Sequence, residues 1–511
     1  QKSHNRIYLG WANQKMKRLI IYLAMVLLII PLKAQKRDSR SVAMVGATTT
    51  IAEGIYAVGY NPALLAFQKD KPFMLQLGGL DFGMGNNYIS MAGMSTLSGD
   101  TLDNDEKTFI INRLENSGGL AFNVNGQIAL PGINFTSGNM AVTSNIMYFS
   151  SYTLPAGMAR LMLEGNASNP VIDMTLNYEI MAVSETAFSF AIPFESFALG
   201  LSLKYLQGLL YMGIDPDSSQ ANFVTTPTSV YGSGTYYLRS GVGGSGYGLD
   251  IGLATKDLNG MRFGVSLINA LGMIKWNEPS FFKDILAGKD NKFGNSDDLW
   301  HLKWGGTALT DSVSVVYTYS IDSLRADNLS SGSIFNSSSK VVYNLDEDNK
   351  PKPFNVRYPA IFRIGGSYRK NDLLISSDLT TGFEDRLYTN SRWRWAIAAE
   401  LYRFPLIPMR MGFAWEGLDR TELGMGVGFY GGPVMIDIGF AFKHGMWIHS
   451  MKGLNLSIGF TMTGFQGRQD KAKSAPSGPS PVPEDSLPSD DQKRSEEHTS
   501  EFQSRSDLVC R

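Results

Sequence analysis

The chain has 511 residues, 43% of them hydrophobic and 18% charged, with a formal net charge of −1. That balance gives no sign of a nucleic-acid partner. Outside the N-terminus no run of about 18 apolar residues occurs, which argues against a bundle of membrane-spanning helices.

Residues 1–15 read as translated upstream sequence. Met16 to Ala34, MKRLIIYLAMVLLIIPLKA, carries a basic start at Lys17 and Arg18 and an apolar stretch from Leu19 to Leu32. A small residue, Ala34, precedes Gln35. This is the pattern of a Sec signal peptide, and the stretch is short for a membrane anchor. Residues 35–72 are irregular and rich in small side chains, with a turn-like Asn61-Pro62-Ala63. Pro62 pushes Asn61 away from helical backbone.

From Phe73 to residue 465 the sequence alternates with period two, the mark of strands. FALGLSLKY sets Phe197, Leu199, Leu201, Leu203 and Tyr205 against Ala198, Gly200, Ser202 and Lys204. GYGLDIGLA, MRFGVSL, MIDIGFAF and LNLSIGFTM repeat the scheme, the last with Leu454, Leu456, Ile458, Phe460 and Met462 on one side. The second face is mostly Gly, Ala and Ser. A soluble sheet carries bulkier Thr, Lys, Glu and Arg on its wet face. A membrane barrel turns its apolar face to lipid and its small polar face to the lumen. The expected fold is therefore all-β: a transmembrane antiparallel β-barrel of about 14 strands. Repeated glycine on the lumen face implies close packing within a curved sheet, or room for a plug or ligand.

Two helical patterns interrupt the early strands. DNDEKTFIINRLENSGG has acids at its start and glycine at its end. LPAGMARLMLEGN spaces Leu154, Met158, Leu161 and Met162 helically. Residues 277–356 form a long polar loop, expected outside the cell, whereas RFPLIPM reads as a short periplasmic turn. Residues 466–493 are a Pro/Ser-rich tail or linker. Residues 494–511 resemble the translation of a sequencing-library adapter, and they contain the single cysteine, Cys510. Without it neither a disulfide framework nor a cysteine metal site is available.

The residues offer little for chemistry. His301, His444 and His449 lack accompanying ligands at metal spacing. No Gly-x-Ser-x-Gly lies at a strand-to-helix turn. KDNKFGNSDD places Lys289 at the first position of a would-be calcium loop, which fails the template. GVGGSG, residues 241–246, marks a turn or bulge, because no helix follows it. No catalytic residue, metal or cofactor is expected, and the chain reads as a non-enzyme. By parity Lys204, Asp250, Arg262, Arg363 and Asp437 fall on or near the small face. They either pair with one another and with the N-terminal segment, or line a polar path for a ligand's head group.

The small-residue segment ending in Asn61-Pro62-Ala63-Leu64, GYGLDIGLATKDLNGMRFGVSLINALGMIKW, YPAIFRIGGSYR and RWAIAAELYRFPLIPMRMGFAWEG together resemble the FadL/PorV-type outer-membrane β-barrel superfamily. Within it they are most similar to an uncharacterised barrel family of Bacteroidota. The likeness spans about Val42 to Phe465. It implies a fourteen-stranded barrel in a Gram-negative outer membrane, with residues 35–72 folded inward as a hatch that holds Asn61, Pro62 and Ala63. FadL-like members pass hydrophobic or amphipathic small molecules through such a hatch; PorV-like members serve secretion or surface anchoring through protein partners. Membrane lipid and the barrel-insertion machinery are the remaining partners implied. The insertion signal would sit internally, at Phe460 or Phe465.

Overall fold

In a computed structural model of the chain, the alternating segments pair into one closed antiparallel ring of 14 strands. The residues described are 38–68, 73–93, 102–165, 170–276, 303–304, 307–308, 313–324, 335–343, 353–387, 389, 391–416 and 420–464. The staves are β1 Phe73–Asn86, β2 Leu120–Ala129, β3 Met140–Leu154, β4 Asn177–Pro193, β5 Phe197–Ile214, β6 Val230–Thr255 and β7 Met261–Ile268. They continue with β8 Ile361–Lys370, β9 Leu373–Gly382, β10 Arg394–Leu401, β11 Met409–Trp415, β12 Thr421–Gly431, β13 Val434–Lys443 and β14 Gly453–Thr463. Each pairs with its neighbours, and β14 closes on β1 in a register that sets Leu80 opposite Ile458. Closure leaves no sheet edge, which is the condition for strands to cross a bilayer.

The side-chain parity answers which face is wet. On β14, Leu456 is 47% exposed, whereas Asn455, Ser457 and Thr461 are buried. On β5, Leu203 is 57% exposed and its neighbour Lys204 only 3%. The apolar face points outward round the ring, and the inward face is small and polar except toward the loop end, where Phe149, Met181 and Leu206 also face in. In water such a belt would be a large unfavourable surface; in lipid it is the stable arrangement. Phe194 and Phe197, stacked at 4.7 Å, lie at the β4–β5 turn, and exposed Phe404, Leu406 and Ile407 lie at the β10–β11 turn. Trp393, Trp395, Trp415 and Trp447 are exposed at the other rim.

Connections at one end are short: 194–196, 256–260, 371–372, 402–408 and 432–433. Connections at the other end reach 87–119, 155–176 and 269–360. These are called the turn end and the loop end. RFPLIPM falls at the turn end. At the loop end α1 Asn104–Asn116 is set by a reciprocal capping box between Asp103 and Glu106. It packs beside α2 Ala156–Leu163 through an Arg160–Glu115 ion pair at 2.5 Å. β6 outruns its neighbours, and its loop-end half carries the hairpin Val313–Leu324 and Phe335–Tyr343. GVGGSG lies inside β6, where Gly243 takes φ 80°. His301 and KDNKFGNSDD lie outside the described residues.

Candidate functional site: the lumen and its hatch

Residues 38–68 fold into the barrel and fill it nearest the turn end. Asp38 starts a short helix, Ser39–Ala43, by accepting from the Ser41 amide at 3.0 Å. Turns through Val45 and Gly46 lead to two 3₁₀ segments, Gly54–Ala57 and Pro62–Phe67. Val42, Met44, Ala47, Ile51, Val58, Leu64 and Leu65 are almost fully buried, and they meet a wall of alanines: Ala396, Ala398, Ala414 and Ala441 on one side, Ala141, Ala187, Ala198 and Ala254 on another.

The lumen glycines find their reason here. A β-carbon on Gly412 would lie 2.7 Å from the Met44 carbonyl carbon, and one on Gly424 2.6 Å from the Ala43 carbonyl oxygen. The same holds for Gly264 against Asn61, and Gly252 and Gly200 face Asn61 and Pro62. These strands accept the cost of interior glycine so that two backbones can touch.

Asn61 is central to that contact. Its Oδ1 accepts from the Ala63 amide at 3.1 Å and so caps the second 3₁₀ segment. Its Nδ2 donates to Thr49 O and Leu253 O, both at 3.1 Å, tying two parts of the hatch to β6. Pro62 and Ala63 lie against Gly200 of β5.

The five candidate lumen residues divide among separate clusters. Lys204 contacts Asp250 at 2.9 Å and Glu185 at 3.3 Å and donates to Asn269 Oδ1 at 2.7 Å. Arg363 donates to Gly46 O at 2.6 Å and Thr49 Oγ1 at 2.9 Å, lies 3.1 Å from Asp378 Oδ2, and stacks over Tyr60. Asp378 Oδ2 also accepts from the Thr48 and Thr49 amides, both at 2.8 Å. Arg262 donates to Thr50 O at 3.3 Å and stacks over Phe67. Asp437 accepts from Arg410 at 2.5 Å, which also donates to Glu400 and Tyr430. Four of the five therefore pair inside the lumen with strand carboxylates, guanidinium or amine groups, and Arg262 and Arg363 bind the hatch directly.

Three features escaped the sequence reading. One is an apolar cluster inside the barrel toward the loop end, here called the vault, in which Phe149, Met181, Leu206, Tyr211, Trp276, Phe354 and Tyr358 pack together and are nearly fully buried. Tyr211 packs on Trp276 at 5.5 Å and on Phe354 at 5.7 Å. The Glu185–Lys204–Asp250 cluster is the vault's floor, joined to it by Tyr358 donating to Glu185 at 3.1 Å. The second is a strap, the β9–β10 connection: Arg386 donates to Glu179 of β4, and Leu387 enters the vault. The third is an amide stripe on β2, Asn123, Asn125 and Gln127, which the alternation in FNVNGQ could have revealed. Among the described residues no group of three or more His, Cys, Asp or Glu is placed to hold a metal.

The fold and its filled lumen define a transmembrane β-barrel with an internal hatch. The chain belongs to the Family of unknown function (DUF5723), whose model matches residues 62–369. No curated protein matches it by sequence. Among solved structures it is similar to the P. putida toluene transporter TodX, with a TM-score of 0.45, 11% identity, and coverage of 84% of this chain and 99% of that one. A Pseudomonas aeruginosa FadL homologue gives 0.44 and 10%, covering 84% and 99%. The CymD monoaromatic hydrocarbon channel gives 0.43 and 12%, covering 83% and 97%.

Proposed function

We propose that the protein is a non-enzymatic outer-membrane channel that admits small hydrophobic or amphipathic molecules from the loop end and releases them at the turn end when the hatch shifts. The observation that carries this reading is the apolar vault. Phe149, Leu206, Trp276 and Phe354 pack together on the lumen side, where the strands are otherwise small and polar, so parting them would offer an apolar solute a lining of its own kind. An apolar solute moving from water to such a lining gains about 25 cal/mol per Å² removed from water. The polar floor at Glu185, Lys204 and Asp250 then sets the limit of the apolar zone, where a head group would rest.

The hatch below is held by polar bonds to β6 to β10 and, through Ser39 to Ser457 and Tyr56 to Thr461, to β14. These are replaceable by water, so the plug can move without leaving permanently unpaired groups. Uptake of a labelled fatty acid into liposomes containing the purified barrel tests the reading. Flux above that of empty liposomes is expected. Its absence, with the circular dichroism of an intact barrel, would remove transport and leave the protein-partner reading.

A further inference from the structure

The hatch meets the barrel differently on its two sides. Toward β8 to β10 it is bonded through Arg363, Asp378, Ser376, Arg394 and Glu400. Toward β1 to β3 it rests Ile55 on Met74 and borders a small polar cavity lined by Asp38, Tyr60, Gln76, Gln127, Thr143 and Asn145, among others. The cavity has room for about one water molecule at a time.

The polar lining does not stop at the cavity. On β2 the lumen side carries Gln127, Asn125 and Asn123 in succession, and Ser151 of β3 donates to Asn123 at 2.9 Å. Toward the turn end, Asn134 donates to Gln76 at 2.8 Å and to Asn145 at 3.1 Å. A continuous stripe of amides thus runs along this wall beside the hatch. Two of its members are buried without protein partners for part of their hydrogen-bonding capacity: Asn145 at Nδ2, and Asn125 at both Nδ2 and Oδ1. Native interiors rarely leave amides in that condition unless water or a polar solute satisfies them. The cavity lining includes the carboxylate of Asp38 and neither Lys nor Arg. The nearby cation Arg40 is directed at Glu400, at 2.5 Å.

We propose that the seam between the hatch and β1–β3 is a hydrated conduit that carries water and small cations past the hatch, separately from any route through the apolar vault. The amides take the place of a solute's hydration shell, and the carboxylate repels anions. On the opposite wall hatch backbone bonds directly to Arg363, Asp378, Ser376 and Arg394, and the buried atoms without a protein partner there, Arg363 Nη1 and Asp378 Oδ1, belong to a charged pair 3.1 Å apart instead of a run of amides.

The test is electrical and chemical. Cys510, the chain's one cysteine, is replaced by serine, and the protein is reconstituted in planar bilayers under a potassium chloride gradient. A reversal potential on the cation side is expected. In this background Asn145→Cys and Asn125→Cys are expected to react about tenfold faster with a cationic than with an anionic methanethiosulfonate reagent, and the current should fall on reaction. Ser376→Cys, on the bonded wall against Ala47 O, should resist both reagents. Circular dichroism of each variant confirms the barrel. Absence of current, an anionic reversal potential, or current indifferent to modification of both amide positions would overturn the conduit. Fatty-acid uptake, measured on the same preparations, reports separately on the vault.

Discussion

Arg40 of the hatch donates to Glu400 of β10 through Nε at 3.1 Å and Nη2 at 2.5 Å, while its Nη1 reaches Ile51 O at 2.9 Å. One guanidinium therefore holds the hatch to itself and to the barrel. Glu400 also accepts from Arg410, which continues to Asp437 on β13. Breaking one member of a buried network leaves an uncompensated charge, at a cost of about 3–5 kcal/mol. Glu400→Gln is expected to loosen the hatch selectively. Limited trypsin digestion should cut within residues 38–68 in the variant and spare them in the parent, with the barrel intact. Equal resistance of both would show that the pair does not secure the hatch.

The glycine wall makes a different demand. Gly424→Val places a branched side chain where the Val42 and Ala43 carbonyls now lie, at 2.7 and 2.6 Å from a would-be β-carbon. Overpacking of this kind costs about 1–3 kcal/mol. The outer face of β12 is untouched, so the barrel should assemble while the hatch is displaced. Larger conductance and faster hatch proteolysis are expected together. An unchanged conductance would place the hatch elsewhere than against β12.

Leu203 tests the outer surface. Leu203→Arg puts a charge in the lipid belt and should cost about 2–4 kcal/mol in reversible folding into bilayers. The same change at an exposed residue of a soluble protein would be near neutral. A negligible effect would contradict the membrane belt.

How far the sequence could be read follows from these residues. Period two on LNLSIGFTM and its companions specified strand, lumen side and lipid side, because side-chain parity is a local property. The two loop-end helices were legible for the same reason: the capping box of α1 lies within one turn of the chain, and the apolar spacing of α2 is itself local. The hatch contacts were not. Asp378 meets Thr49 across 329 positions, and Arg40 meets Glu400 across 360. No local period encodes which carboxylate a guanidinium will find. Parity did put Lys204, Asp250, Arg363 and Asp437 inside, yet it could not divide them among separate clusters. The vault was hidden because lumen-facing Leu206 and Trp276 look, by composition, like any other apolar strand residues.

Arg386 is the strap's hold on β4. It donates through Nε to both Glu179 oxygens at 2.9 and 2.8 Å and through Nη1 to Arg357 O at 3.2 Å. Arg386→Ala should release the β9–β10 connection from the vault it covers. Fatty-acid entry into liposomes is expected to quicken by about threefold, equivalent to roughly 0.7 kcal/mol off the barrier. Arg239, paired with Asp215 at 2.9 Å away from the strap, provides the control: Arg239→Ala keeps the strap and should leave the rate close to that of the parent. Slower entry in Arg386→Ala would mean that the strap assists passage instead of covering it.

Acidity should act on the seam through Asp38. Enclosure by protein raises its carboxyl above the usual value of 3.8, against the opposing pull of the Ser41 amide and Arg40. The groups facing it are Arg40, Tyr56 and Tyr60 of the hatch and Asp437 of β13. Between 3.8 and the raised value, the folded chain holds a proton that the unfolded chain has released. Stability from this group is thus greatest at low pH and declines as pH rises through that window. The charge runs the other way: the carboxylate that favours cations is present above the window and lost below it. Cation preference in planar bilayers should therefore fall on acidification, with its midpoint above 3.8. Asp38→Asn keeps the helix cap, since asparagine caps as well as aspartate, and should abolish the pH dependence. A pH response that survives in Asp38→Asn would assign it to another group.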